Sequence, residues 1–275
     1  MGKIYLQMYS FMDGTMNDTC ENLRLAAAMG YDGVELFGGN FAVPAEEMKR
    51  QLETYGLEAV SMHAQTGQIR EMIPYAKALG MKFMGIGMEV MKNEKDVYSF
   101  ADTLNELGEE CAAHGITLTY HNHTQEFNSC NGKRIIDVLV RDTDPSYVSF
   151  ELDAGWCAAA GADPMFLVKQ YSGRFKLIHV KESSRVIGPQ PPMDFSSFDK
   201  DADGNPVLPE AVKKSMEESR AINCPAGQGL VDWKLLKETA DQNGCEAYIV
   251  ERETTYAGTR AECLKADIDY YRTVI

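Results

Sequence analysis

No apolar run in this chain approaches the ~18 residues that a membrane-spanning helix needs. The opening MGKIYLQMYSF lacks a basic stretch, an apolar core and a cleavage site in that order, so no signal peptide is expected. The 7 cysteines are an odd number without a C-x-x-C pair, which argues against a disulfide framework or a cysteine zinc site and for reduced thiols. Positive charge is scarce. Lys and Arg total 27 against 41 Asp and Glu, a formal charge of −14, and a nucleic-acid partner would want a basic face instead. No glycine-rich phosphate loop follows the first strand-like run, which argues against a dinucleotide fold. With no low-complexity segment either, the expectation is a cytoplasmic protein free of membrane and nucleic acid, with self-association left open.

One unit recurs: a helix-like segment ends in Gly and a short apolar run follows at once. It appears at Gly30, Gly56, Gly80, Gly115, Gly173 and Gly244. Glycine after a helix is the left-handed cap that a Cβ disfavours. The apolar runs lack clean alternation, as parallel strands covered by helices do. With Lys3–Phe11 and Tyr147–Gly155 added, eight strands are expected. Helix signals stand between them: Asn93 before the Val97–His114 segment, Pro164 in a first turn, and Thr259–Val274 closing the chain. Eight βα units over 275 residues fit one α/β domain, a (β/α)8 TIM barrel. An open doubly wound sheet is the alternative. The Pro-rich, polar stretch Ser183–Gly229 breaks the rhythm after the seventh strand, with a helical patch near Pro209–Arg220. Its length and place read as a lid over the catalytic face.

Of the 5 histidines, His63, His121, His123 and His179 lie where strand-like runs turn polar. His121 and His123 share a strand face by their spacing. Strand ends also supply Asp153, Lys181, Glu251 and Glu253. In a barrel these ends converge on one mouth. His121, Asp153, His179 and Glu251 would then come from four consecutive strands, a mixed N/O set suited to one divalent ion: Mn²⁺, Zn²⁺, Fe²⁺ or Co²⁺. Taken singly each has a plainer role, such as a turn at Asp153, but together they would repel without a cation.

The motifs GYDGVEL (30–36), YHNHTQEF (120–127), ELDAGW (151–156), IHVKE (178–182), GQGLVDW (227–233) and YIVE (248–251) resemble the xylose isomerase-like TIM barrel superfamily, the sugar phosphate isomerase/epimerase group, over nearly the whole length. The resemblance implies a metal held at strands five to eight by Glu, Asp, His and Glu. The last three fall on Asp153, His179 and Glu251, and the first falls on His121, a departure. It further implies a small-molecule carbohydrate substrate, Glu251 as base, Lys181 beside a developing oxyanion, and contacts from His63, His123, Glu126, Trp156 and Arg185. Glu35 reads as an anchor deeper in the barrel. The expected activity is isomerisation or epimerisation of a sugar or keto-sugar by proton abstraction next to a carbonyl. The His121 departure puts a two-glutamate epimerase mechanism in doubt and brings forward a lyase acting on 3-keto-glycosides. A sugar-binding barrel without catalysis and an AP-type endonuclease are the alternatives of other classes. Asp199, Asp201, Asp203, Gly204 and Glu210 match calcium-loop spacing, but Pro206 and Pro209 fall inside the string, so a turn is expected there.

Overall fold

The computed structural model describes residues 2–12, 18–194, 197–200 and 207–275. Eight parallel strands close into a barrel. They are β1 (Ile4–Gln7), β2 (Gly33–Phe37), β3 (Glu58–Ala64), β4 (Phe83–Ile86), β5 (Thr117–His121), β6 (Val148–Asp153), β7 (Phe175–Val180) and β8 (Ala247–Val250). Each pairs with its neighbour in sequence, and β8 returns to β1 with Ile4 opposite Tyr248. The barrel, not the open sheet, is therefore the fold. One boundary differs from expectation: the run Lys3–Phe11 is strand only to Gln7, whose side chain accepts the Tyr9 amide and turns Met8–Phe11 into a 3₁₀ turn.

Helices cover the outside. They are α1 (Thr19–Met29), α2 (Ala45–Tyr55), α3 (Ile69–Leu79), α4 (Glu94–Ala112), α5 (Ile135–Asp142), α6 (Ala154–Ala159), α7 (Pro164–Gln170), α8 (Glu210–Arg220), α9 (Trp233–Gln242) and α10 (Arg260–Val274). The six unit-ending glycines all have positive φ. In α4 the side chains of Val97, Phe100, Ala101, Leu104, Leu107 and Cys111 form one buried stripe at helical spacing. Asn93 caps its start by accepting the Asp96 amide. Burying a leucine such as Leu104 contributes about 1.5–3 kcal/mol.

The barrel interior changes character along its length. Tyr5, Phe83, Leu177, Ala247 and Ile249 pack into an apolar plug. Two residues further along the chain from Tyr5, Leu177 and Ile249, the same inward face carries Gln7, His179 and Glu251. One period-two pattern thus builds both the plug and the polar mouth above it. No helix of the described residues is long and apolar enough to cross a membrane. Half of the calcium-loop string, residues 201–206, lies outside the described residues.

Candidate active site

Strand register sets the heights of the polar side chains. Asp153 on β6 pairs with His179 on β7, and His121 on β5 pairs with Glu151 on β6. Glu251 follows β8 and donates its amide to the Val180 carbonyl at 3.2 Å, level with the end of β7. Ligating atoms of His121, Asp153, His179 and Glu251 all lie within 4.8 Å of one another. The four residues expected from the sequence are therefore gathered at one place.

A second group, His63, His121, Glu151 and His179, meets the same distance limit and shares two imidazoles with the first. Glu151 was not anticipated. Its oxygens meet His63 Nε2 at 2.5 Å, His121 Nδ1 at 3.2 Å and His179 Nε2 at 3.4 Å. The signal was there: in ELD, Glu151 stands two residues before Asp153 on the same strand face. Glu35 anchors His179 from below, accepting from Nε2 at 2.8 Å and from Gln7 Nε2 at 2.6 Å, with Ser61 as a further donor. That is the deep anchoring role expected of it. His63 reaches the centre because Gly87 leaves room: a Cβ there would stand 3.0 Å from His63 Nδ1.

These groups are buried, and their electrostatics follow. Burial raises a carboxyl, but His179, His63 and His121 around Glu151 hold it well below the usual range. Glu251 is likewise opposed by burial, yet the Lys181 ammonium and His179 hold it low. Asp153 goes the other way, pushed up to about 7 by burial. Burial and the nearby imidazoles push His121 well down. Burial and the Lys181 charge push His123 down to about 3. His179 resists burial and is raised well above its ordinary value by Glu151 and Glu35.

Among the buried atoms around this centre without a hydrogen-bond partner are these three: Glu151 Oε1, Asp153 Oδ2 and His179 Nδ1. An orphaned buried polar atom is costly. Two of the three belong to the His121–Asp153–His179–Glu251 set, and a two-nitrogen, two-oxygen donor group suits a divalent ion. The residues present therefore fit a metal.

The remaining expected contacts divide. His63, His121, His123, Glu251 and Glu253 line an open cleft of about 1310 Å³ at the mouth. Lys181 is buried, its Nζ 3.0 Å from Glu251 Oε2, also bonded to Glu253, and 4.5 Å above the Trp156 ring. Trp156 does not line the cleft, because the ammonium covers its face. Glu126 does not line it either. It is fully buried and accepts from the Tyr120 hydroxyl (2.6 Å), the His123 amide (2.7 Å) and Gln125 Nε2 (3.0 Å), so it shapes the loop after β5. Arg185 is exposed and outside the cleft lining. The insertion does reach the mouth: Met193 and Asp194 line the cleft, and Asp194 meets Lys92 at 2.7 Å.

A sequence profile described as xylose isomerase-like TIM barrel matches residues 23–274. Among curated proteins, an inosose dehydratase of Mesomycoplasma hyopneumoniae (strain 7448) is 27% identical over 181 residues, covering 57% of this chain and 59% of the relative. The matched region is thus under two thirds of that relative's length. A sugar phosphate isomerase/epimerase from Parabacteroides distasonis ATCC 8503 superposes with a TM-score of 0.75 at 23% identity, covering 98% of this chain and 97% of its own. An IOLI protein with a bound zinc atom superposes at 0.71 with 14% identity, covering 99% and 97%. At those identities the two structures speak for the fold.

Proposed function

This chain belongs to the xylose isomerase-like TIM barrel family, and on that premise we propose that it is a divalent-metal-dependent enzyme that takes a proton from the carbon next to a carbonyl of a sugar or keto-sugar. The observation that carries this is the convergence of His121, Asp153, His179 and Glu251, with Asp153 Oδ2 and His179 Nδ1 left without hydrogen-bond partners. An ion held by those four residues supplies Lewis-acid polarisation of substrate oxygens. The zinc atom of the structurally similar IOLI protein supports a metal here.

The protein's own groups do the rest. Glu251 is kept ionised by Lys181 and His179, and both contacts fall on its Oε2. Its other oxygen takes the carbon-bound proton. Lys181, held charged and oriented by Glu251 and Glu253, sets that carboxylate in place and adds positive charge beside a developing oxyanion. His63 and His123 line the cleft within reach of sugar hydroxyls. Met193 and Asp194 bring the insertion over the mouth, and that segment excludes water from the reacting carbon.

With an imidazole, His121, at the β5 position opposite, the base is one-sided. That favours elimination over epimerisation by two facing carboxylates. Glu251 removes the proton, the electron pair left on carbon becomes a C=C bond, and the oxygen substituent on the next carbon leaves with its bonding pair and takes up the proton returned by Glu251. The inosose dehydratases among its relatives support this outcome. Isomerisation is the second reading, favoured by the structural likeness to a sugar phosphate isomerase/epimerase and equally served by one base.

The test is NMR of the metal-loaded protein in D₂O with inososes, keto-sugars and 3-keto-glycosides. Solvent deuterium at the carbon next to the carbonyl, or loss of water or aglycone, is expected. A metal-loaded, folded protein that exchanges no carbon-bound proton across the panel overturns the reading.

A further inference from the structure

The cleft above this centre has a lopsided charge. Glu89, Asp96, Asp194, Glu251 and Glu253 line it, against the ammonium of Lys92 and the imidazole of His63, which Glu151 and Glu35 already engage at 2.5 and 3.3 Å. That ammonium is already engaged 2.7 Å from Asp194. Lys181 below is taken up by Glu251 and Glu253, and burial removes it from the lining. No arginine lines the cleft. Arg220, at the end of α8, is close enough to be felt at the Tyr9 hydroxyl, yet it does not line the cleft, and Glu253 and Glu251 act on that hydroxyl more strongly. The residues outside the described ones contain neither Lys nor Arg, so no further cation is hidden in them.

A phosphate monoester carries nearly two negative charges and is ordinarily met by Arg, Lys or a helix N-terminus. A divalent ion in the centre would be largely balanced by Asp153 and Glu251, its own ligands, which leaves Glu89, Asp96, Asp194 and Glu253 on the walls to repel the ester. Hydroxyl groups, in contrast, find acceptors and donors throughout: Gln7, Gln65, Gln68 and His123 line the same space.

We propose that this cleft takes an uncharged, unphosphorylated sugar derivative and rejects phosphate esters. The proposal rests on the reading of the site as one for sugars, and it assigns the substrate class within that reading.

The experiment is calorimetric titration of the metal-loaded protein with matched pairs, each a free keto-sugar or polyol and its monophosphate, at low and moderate salt. Metal content and carbon-proton exchange are measured on the same preparation. Every ester is expected to bind at least ten-fold more weakly than its free partner, or not at all, with the gap narrowing as salt screens the walls. Met88→Lys places a cation on the cleft wall at an exposed position and should tighten ester binding about five-fold relative to binding of the free partner by the same variant. An ester that binds as tightly as its free partner or tighter overturns the proposal. Loss of metal binding or of carbon-proton exchange across the panel instead overturns the catalytic reading, so the two failures are told apart.

Discussion

At Asp153 one oxygen accepts the Trp156 amide at 2.7 Å and caps α6, while the other meets only His121, 3.8 Å away. The capping role is the plain one that any Asp before a helix can fill. The second oxygen is what costs stability without a metal. Because burial lifts this carboxyl from 3.8 to about 7, the folded state holds a proton that the unfolded chain has lost. Its stabilising share is present below the unfolded value and is lost as pH rises through about 7. Metal-free Asp153→Asn keeps the cap and should therefore be more stable than the parent at pH 8, with the advantage vanishing near pH 4. Urea titrations across that range check it, and a pH-independent difference contradicts it. At Glu251, replacement by Gln should lower the rate of carbon-proton exchange about 10²–10⁴-fold with the fold intact, as expected for loss of a positioned base. Metal content of the variant must be measured beside the rate, and wild-type exchange by a metal-loaded variant moves the base elsewhere. His121, His179 and Glu251 were legible in the sequence because a strand end followed by polar residues marks the barrel mouth. Glu151 was not, because strand depth depends on the register between strands, which no single strand records. Trp156 and Arg185 were expected at the sugar from motif position alone, whereas side-chain direction turned one under Lys181 and left the other exposed.

Among the elements, the insertion after β7 is tied down where it leaves and where it returns. Ser183 bridges to Asn223, and Glu182 accepts the Gly227 amide (2.6 Å), the Trp233 indole N–H (2.7 Å) and the Tyr271 hydroxyl (3.1 Å). A Cβ on Gly229 would come within 2.1 Å of Glu182 Oε2, so the returning chain is pressed against this carboxylate. Glu182→Ala strands three donors and should destabilise the protein by about 3 kcal/mol, measured by chemical denaturation. Replacing only residues 192–207 by a short turn spares both anchors. That variant should fold normally and lose turnover at least about ten-fold, and unchanged turnover rules out a lid. Six of the eight strands were legible because a glycine stop and an apolar run mark each, and the strands in Lys3–Phe11 and Tyr147–Gly155 from the apolar run alone, signals local to the element. The strand end at Gln7 was not, since the apolar pattern of MYSF continues past the point where the Gln7 side chain redirects the chain.

For the whole molecule, carboxylates and imidazoles from four strands meet in one buried volume, so a bound divalent ion links elements far apart in sequence. Metal at about a hundred times its Kd should add about 2.7 kcal/mol. The thermal midpoint of a chain this size should then rise by at least ~5 °C, reversed by chelation. A midpoint indifferent to metal counts against a centre at His121, Asp153, His179 and Glu251. The chain's two tryptophans stand at the two places these experiments address. Trp156 lies under the Lys181 ammonium, and Trp233 donates to Glu182 at the root of the insertion. The tryptophan emission of the protein is therefore the sum of one lamp beneath Lys181 and one at the root of the insertion. Trp233→Phe leaves only the first, which answers to changes beside Lys181, and Trp156→Phe leaves only the second, which answers to movement of the anchor. No dye has to be attached to follow either one in real time.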